Sequence, residues 1–178
     1  MRRNSLQIIQ KFARVFRTLS SIGAIAAFLG AVTAFAGAAF LEYLRAGSES
    51  MDAIASFMQA LGRSGRLTLA VLLADGIDFL AHGAVFYLAA RYLARELSDG
   101  TPFTMEGAGM LRRLGVCTIV LPLVGFAAQA VIFELLSQAG PADFDNAGSV
   151  VLGLAMIFGA LVLEYGASLA GGQTQEYV

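Results

Sequence analysis

Four long apolar segments, separated by stretches rich in charged and small polar residues, dominate the pattern of the chain. They cover approximately residues 19–44, 67–93, 114–136 and 149–169. The hydrocarbon core of a bilayer is crossed by about 20 mostly apolar residues in a helix, and each segment reaches that length. The pattern therefore predicts an all-α protein, an integral membrane four-helix bundle that forms one transmembrane domain over residues 1–178.

A second helical pattern precedes the first apolar segment. In residues 5–17, apolar side chains recur every three or four positions, and Lys11, Arg14 and Arg17 interrupt them. This spacing predicts an N-terminal amphipathic helix, which either lies on the membrane surface or extends the first span into the cytosol. Because the apolar run after Arg17 exceeds the roughly 7–15 residues of a signal sequence, we expect it to be a retained span. A similar amphipathic pattern between the first two spans predicts a short surface helix, carried by Met51, Ile54, Ala55, Phe57, Met58 and Leu61.

Basic residues are distributed unevenly among the connections between spans. Of the 12 Lys and Arg residues, five precede the first span and four lie at or between the ends of the second and third spans. Three lie between the first and second spans, and the last connection has none. An excess of basic residues marks the cytoplasmic side of a membrane. We therefore expect both termini and the inner loop 94–113 in the cytoplasm, with the loops 45–66 and 137–148 outside.

The composition agrees with a membrane protein and adds little about function. Hydrophobic residues make up 57% of the chain and charged residues 14%, against about 25% charged residues in a typical soluble domain. The net charge of −1 indicates nothing about nucleic acid or acidic partners. Cys117 is the only cysteine, so we expect no intramolecular disulfide, and its apolar surroundings favour a role as a small hydrophobic side chain.

Small residues suggest how the spans pack. The first span carries a ridge of them, and the fourth carries Gly153 and Gly159. Such residues let helix backbones approach closely in a membrane, and we expect these to pack within the bundle rather than to drive dimerisation. Pro122 in the third span removes a backbone donor and predicts a bend. The ridge of the first span consists of Gly23, Ala27, Ala31, Ala34 and Ala38.

Ionisable residues within the spans are the strongest chemical signal. Asp75, Asp78 and His82 are spaced by three and four residues, which places them on one face of the second helix. An ionisable side chain at that depth costs at least about 2.5 kcal/mol and marks a candidate functional site. Glu134 in the third span and Glu164 in the fourth extend this set of polar groups. None of the four apolar cores contains Lys or Arg, so we expect these carboxylates to lack a basic partner at the same depth.

Three interpretations of this polar face are open. It is a hydrogen-bonded seam between helices, a proton-carrying or water-lined site, or a metal site. In the metal site Asp75, Asp78 and His82 would supply three ligands, and Glu134 or Glu164 a fourth. The sequence contains no GxSxG, HExxH, phosphate-binding loop or CxxC pattern, so we expect no catalytic residues, no cofactor and no enzymatic activity.

The connection between the second and third spans has the most distinctive sequence. Residues 96–104 read ELSDGTPFT, and residues 111–115 read LRRLG. Asp99-Gly100 and Pro102 predict the end of the second helix. Thr104 is placed to cap the start of the third helix, and Glu106 is favourable in its first turn.

This connection resembles the bacterial membrane family DUF2975, whose members show G-x-P-F-[ST]-x-E-N followed by L-R-x-[IL]-G between the second and third of four transmembrane helices. The C-terminal residues, from Glu164-Tyr165-Gly166 to Val178, are also similar to the tail of that family. Gly107 replaces the usual Asn, and the tail is poorer in acids. The residues that carry the resemblance in the connection are Gly100, Pro102, Phe103, Thr104, Glu106, Leu111, Arg112 and Gly115.

The resemblance implies a multi-pass protein of the bacterial inner membrane. DUF2975 proteins are often encoded beside a small helix-turn-helix DNA-binding protein, which implies a regulatory partner for a cytoplasmic regulator, without direct binding of nucleic acid. The inner loop and the amphipathic N-terminus would be the docking surfaces. Two alternatives come from the residues themselves: an accessory subunit of a larger membrane complex, or a small proton or cation carrier that uses Asp75, Asp78 and His82.

Overall fold

The computed structural model describes residues 2–46, 65–99, 104–136 and 147–172. These residues form four α-helices and no strand: α1 Arg2–Ala46, α2 Gly65–Asp99, α3 Met105–Leu136 and α4 Ala147–Gly172. Each helix contains an apolar stretch of 22 to 34 residues, long enough to cross a membrane. The prediction of an all-α bundle with four spanning helices is confirmed.

The helices continue well beyond the predicted spans. Residues 5–17 are the first part of α1, which has 45 residues and no interruption, so the structure shows a helix that extends the first span. At 1.5 Å per residue α1 is roughly 68 Å long, more than twice the thickness of a bilayer core. α2 and α3 likewise extend into the predicted loop 94–113, because charged residues are compatible with helix outside the membrane. The short helix predicted around Met51–Leu61 lies outside the described residues.

The four helices pack mainly in chain order: α1 on α2, α2 on α3, and α3 on α4. No other pair of described helices makes comparable contact. The α2–α3 contact includes Phe133 of α3 packed against Ala70 and Ala74 of α2. α3 continues as helix through the buried Pro122. The middle helices therefore each have two neighbours, and α1 and α4 have one each.

Aromatic rings on one helix cover glycines on the other along the α1–α2 contact. A methyl group at Gly30 would lie 3.1 Å from the ring of Phe79, and one at Gly76 would lie 2.8 Å from the ring of Phe35. The arrangement recurs every seven residues and runs in both directions, since Phe86 faces Gly23 and Phe28 faces Gly83. A seven-residue repeat is the spacing that keeps the seam between two packed helices aligned.

The small-residue ridge of α1 is buried against its neighbour, as expected. Its alanines are all buried, with Ala31 only 1% exposed and Ala38 3% exposed. Because α1 makes its extensive contact with α2, this ridge is used within the chain. The prediction that the ridge packs inside the bundle is confirmed.

Candidate functional site

The predicted polar face of α2 brings two of its three residues into direct contact. Nδ1 of His82 lies 3.2 Å from Oδ2 of Asp78 and 3.0 Å from the main-chain oxygen of the same residue. The helical spacing of four residues is the cause, since it stacks the two side chains on adjacent turns. The His82 and Asp78 side chains are 41% and 44% exposed, and Asp75 is exposed one turn away.

The face that carries this pair is not the face that meets the neighbouring helices. α1 packs on the side of α2 that includes Gly76 and Gly83, whereas α3 packs on the side that includes Ala74 and Ala81. With 3.6 residues per turn, the direction midway between Asp78 and His82 lies about 70° from the α3 side and about 130° from the α1 side. The pair therefore lies on the flank of α2, nearer to the α3 contact than to the α1 contact, and both side chains stay partly exposed.

A different residue makes a polar contact between α2 and α3. The side-chain amide of Gln129 donates a hydrogen bond of 3.3 Å to the main-chain oxygen of Ala74. This bond joins the two helices next to the cluster of Ala70, Ala74 and Phe133. A neutral amide is a common hydrogen-bonding group between helices in a membrane.

The two glutamates do not join the polar face of α2. Glu134 is exposed on α3. Glu164 on α4 instead lies 3.6 Å, between Oε1 and Nη1, from Arg112 of α3. Among the described residues, no three His, Cys, Asp or Glu side chains converge into a group that could hold a metal ion. The structure thus supplies no fourth ligand from Glu134 or Glu164, while the carrier hypothesis for Asp78 stays a prediction.

The Arg112–Glu164 pair corrects one expectation. Glu164 was expected to have no basic partner because no Lys or Arg lies inside an apolar core. Arg112 lies just before the predicted third span, and its long side chain reaches the carboxylate of the neighbouring helix. Arginine commonly extends along an apolar surface in this way to place its charged group at a favourable depth.

The end of the bundle at which α2 ends and α3 begins, here called the hairpin end, is built by residues of the predicted connection. The hydroxyl oxygen of Thr104 accepts a hydrogen bond of 3.0 Å from the main-chain N–H of Gly107. The main-chain oxygen of Thr104 accepts another of 3.0 Å from Ala108. This is the geometry of a helix N-cap, so the predicted role of Thr104 is confirmed.

An ion pair and a close contact join α2 to the first turn of α3. The guanidinium of Arg95 pairs with the carboxylate of Glu106, and both side chains are exposed. Glu96, which is half-buried, lies against Gly107 so closely that a methyl group there would collide with its carboxylate. Gly107 is the position at which the chain departs from the DUF2975 pattern, and here the missing side chain leaves space for Glu96.

Glycines and one leucine join α3 to α4 near the same end. A methyl group at Gly115 would lie 2.7 Å from the main-chain oxygen of Gly153, and the converse distance is also 2.7 Å. Leu111 lies 3.8 Å from the position of a methyl group at Gly159. The predicted connection therefore helps to hold α2, α3 and α4 together. Among the described glycines, Gly115 and Gly153 make the closest contact with a backbone atom between α3 and α4.

The sequence did not reveal the contacts that Glu96 and Glu164 make with neighbouring helices. Both roles depend on side chains that meet across helices, and neither position has a local motif that would reveal it. The residues Gly100, Pro102 and Phe103 of the predicted connection lie outside the described residues.

Four spanning helices packed into one bundle define a multi-pass membrane protein of the all-α class. Comparisons with models of known families, with curated proteins and with solved structures found no match. The resemblance to DUF2975 therefore stays a prediction that rests on the residues of the connection and the tail.

Proposed function

We propose that this chain is a non-enzymatic protein of the bacterial inner membrane, with both termini in the cytoplasm, that binds a small cytoplasmic DNA-binding regulator. The binding surface is the hairpin end together with the N-terminal part of α1. The orientation is supported by the charge distribution, and the type of partner by the resemblance to DUF2975 in the connection between the second and third spans. Absence of the common catalytic patterns from the sequence supports a binding role.

The proposal depends on one observation: basic side chains are exposed at the hairpin end, where contacts between helices hold the structure together. Arg91 and Arg113 are exposed near the end of α2 and the start of α3. Gly23 meets Phe86, so α1 is antiparallel to α2, and the basic residues of α1 lie towards the same end. Lys11 and Arg14 there are also exposed. A basic patch of this kind favours association with an acidic surface and accelerates the encounter.

The surface is also held in a defined shape. The Thr104 cap fixes the start of α3, the Arg95–Glu106 pair connects α2 with α3, and the Gly115–Gly153 contact fixes α4 against them. A surface held in place before binding loses less conformational entropy when the partner arrives. The joint thus suits a docking platform better than a flexible loop would.

The test is recovery of the partner from solubilised membranes. The full chain, tagged at its C-terminus, should co-purify with a small cytoplasmic DNA-binding protein that is identified by mass spectrometry. The double variant Arg91→Gln and Arg113→Gln should recover several-fold less of it, because two favourable charge contacts are lost. Arg66→Gln, which changes an exposed arginine at the opposite end of α2, is the matched control and should recover the wild-type amount.

Two results would contradict this function. Recovery that is the same for the double variant and wild type would remove the hairpin end from the binding surface. A reporter fused after residue 172 that is active outside the cytoplasm would place the hairpin end on the wrong side for any cytoplasmic partner. The double variant keeps seven Lys and Arg residues on the expected inner side against three outside, so the charge bias that orients the chain is retained.

A further inference from the structure

The Asp78–His82 pair occupies a lateral face of α2 that no described helix covers. α1 and α3 take opposite sides of α2, and both side chains of the pair keep more than two fifths of their surface exposed. Both residues lie within the 33-residue apolar stretch Arg66–Ser98 that can cross the membrane. The exposed surface of the pair therefore faces the surroundings of the bundle at membrane depth.

Ionisable side chains that face lipid are costly, at about 2.5 kcal/mol or more per residue near the centre of a helix. The contact between Asp78 and His82 offsets part of this cost but leaves hydrogen-bonding capacity on both groups. Nδ1 of His82 is engaged with Asp78, so Nε2 is the ring nitrogen that remains for a partner. The second carboxylate oxygen of Asp78 remains as an acceptor. A helix that packs on this face and supplies both an acceptor and a donor would satisfy both groups.

This face itself carries both the hydrogen-bond donor and the acceptor that such a partner helix must supply. It carries a carboxylate and an imidazole four residues apart, which is about 6 Å along the helix axis. All copies of one chain insert with the same orientation, so a two-fold axis along the membrane normal places two α2 helices parallel at equal depth. In that arrangement, with both ring nitrogens protonated, His82 of each copy donates from Nδ1 to its own Asp78 and from Nε2 to Asp78 of the other copy. The face is therefore complementary to itself in charge and in hydrogen bonding.

Small and branched residues extend this face along α2. Val85 and Ala89 follow His82 on the same side of the helix and are half-buried. Side chains of this size allow two helices to approach closely in a membrane. We propose that the chain forms a two-fold symmetric homodimer in the membrane through the α2 face of Asp78, His82, Val85 and Ala89, with reciprocal Asp78–His82 hydrogen bonds at its centre.

Disulfide cross-linking in native membranes tests the proposal directly. Cys117→Ser removes the natural thiol, and Ala89→Cys then places one thiol on the proposed face, two turns beyond His82. Mild oxidation should convert most of this variant into a species with twice the mass of the chain. Leu80→Cys places the thiol on the exposed opposite side of α2 and is the matched control, which should form no cross-link.

A second variant tests the role of the polar pair. Asp78→Leu combined with His82→Phe keeps apolar volume on the face while it removes both hydrogen-bonding groups. It should reduce cross-linking through the thiol introduced at position 89 at least fivefold. Wild-type protein with one fluorophore per chain should bleach in two steps in the membrane. Because the bleaching measurement uses wild-type protein, its result does not depend on whether the double variant inserts correctly.

Specific outcomes would overturn the homodimer. Equal cross-linking from positions 80 and 89 would mean random collision, and cross-linking unaffected by loss of the polar pair would remove Asp78 and His82 from the interface. A cross-linked product whose mass reports a different polypeptide would assign the face to another membrane protein. Single-step bleaching of the wild type would show a monomer.

Discussion

Replacement of Gly115 by alanine should separate α3 from α4 and destabilise the protein. The added methyl group would lie 2.7 Å from the main-chain oxygen of Gly153 and 2.8 Å from a side-chain carbon of Ile157. Ordinary contact at such a position begins at 3.4 Å, so the helices must move apart by about 0.7 Å. The nearest atom belongs to a backbone, which cannot rotate away as a flexible side chain can.

The size of the effect follows from two opposing contributions. Forcing an extra methyl group into a packed site costs about 1–3 kcal/mol. Alanine has a higher helix propensity than glycine by about 1 kcal/mol, which acts in the other direction. We therefore expect Gly115→Ala to lower the free energy of unfolding by about 1 kcal/mol relative to wild type.

Gly109→Ala is the matched control, because it lies in the same helix and an added methyl group there has no neighbour within 4 Å. It gains the same helix propensity without the clash, so the two variants should differ by about 2 kcal/mol. Unfolding by increasing SDS fraction in mixed micelles, followed by circular dichroism, measures both. Equal unfolding midpoints for the two variants would refute the reasoning.

A double variant gives an independent check on the mechanism. The methyl group of Gly153→Ala meets the main-chain oxygen of Gly115 at the same 2.7 Å, in addition to the side chain of Ile119, so either substitution alone should push the same two helices apart. Once they have separated, the second methyl group should cost less than it does alone. The combined loss should fall short of the sum by at least about 0.5 kcal/mol. Strict additivity would mean that the two glycines do not share one contact.

Two further predictions concern the other joints of the bundle. Thr104→Ala removes the cap of α3 and should cost about 1 kcal/mol, with faster amide exchange at Gly107, whereas Thr104→Ser should keep both properties near wild type. Unchanged exchange at Gly107 would argue against the cap. Gly76→Ala should destabilise the α1–α2 contact, because its methyl group would lie 2.8 Å from the ring of Phe35. The additional change Phe35→Leu should recover part of the loss in the same SDS titration, and no recovery would point to a different cause.

Span number and approximate position were predictable because they depend on local composition alone. A run of about 20 apolar residues identifies a spanning helix whatever its neighbours are. The cap at Thr104 was predictable for the same reason, since a hydroxyl three residues before the bonded N–H is a local pattern. The residues at which the helices end were less predictable. α1 begins at Arg2 and α2 ends at Asp99 because helix continues outside the membrane, where apolarity no longer marks it.

The contacts between helices could be predicted only in part. Glycines at positions 23, 30 and 37 repeat every seven residues in the sequence, as do phenylalanines at 79 and 86. That repeat indicates a packed face, but which glycine meets which ring depends on how the two helices are aligned. The Arg112–Glu164 pair is harder still, because it joins residues far apart in sequence and requires an extended arginine side chain.

Packing in chain order has a consequence for how the protein is made. Each helix that leaves the ribosome finds its main contact surface on the helix inserted just before it. The α1–α2 hairpin, with its interlocking rings and glycines, can therefore assemble before α3 exists, and α4 needs only α3 to be in place. Contacts between neighbours in sequence close small loops and form quickly. Assembly during synthesis can thus proceed one helix at a time, without any early span waiting in the membrane for a late partner.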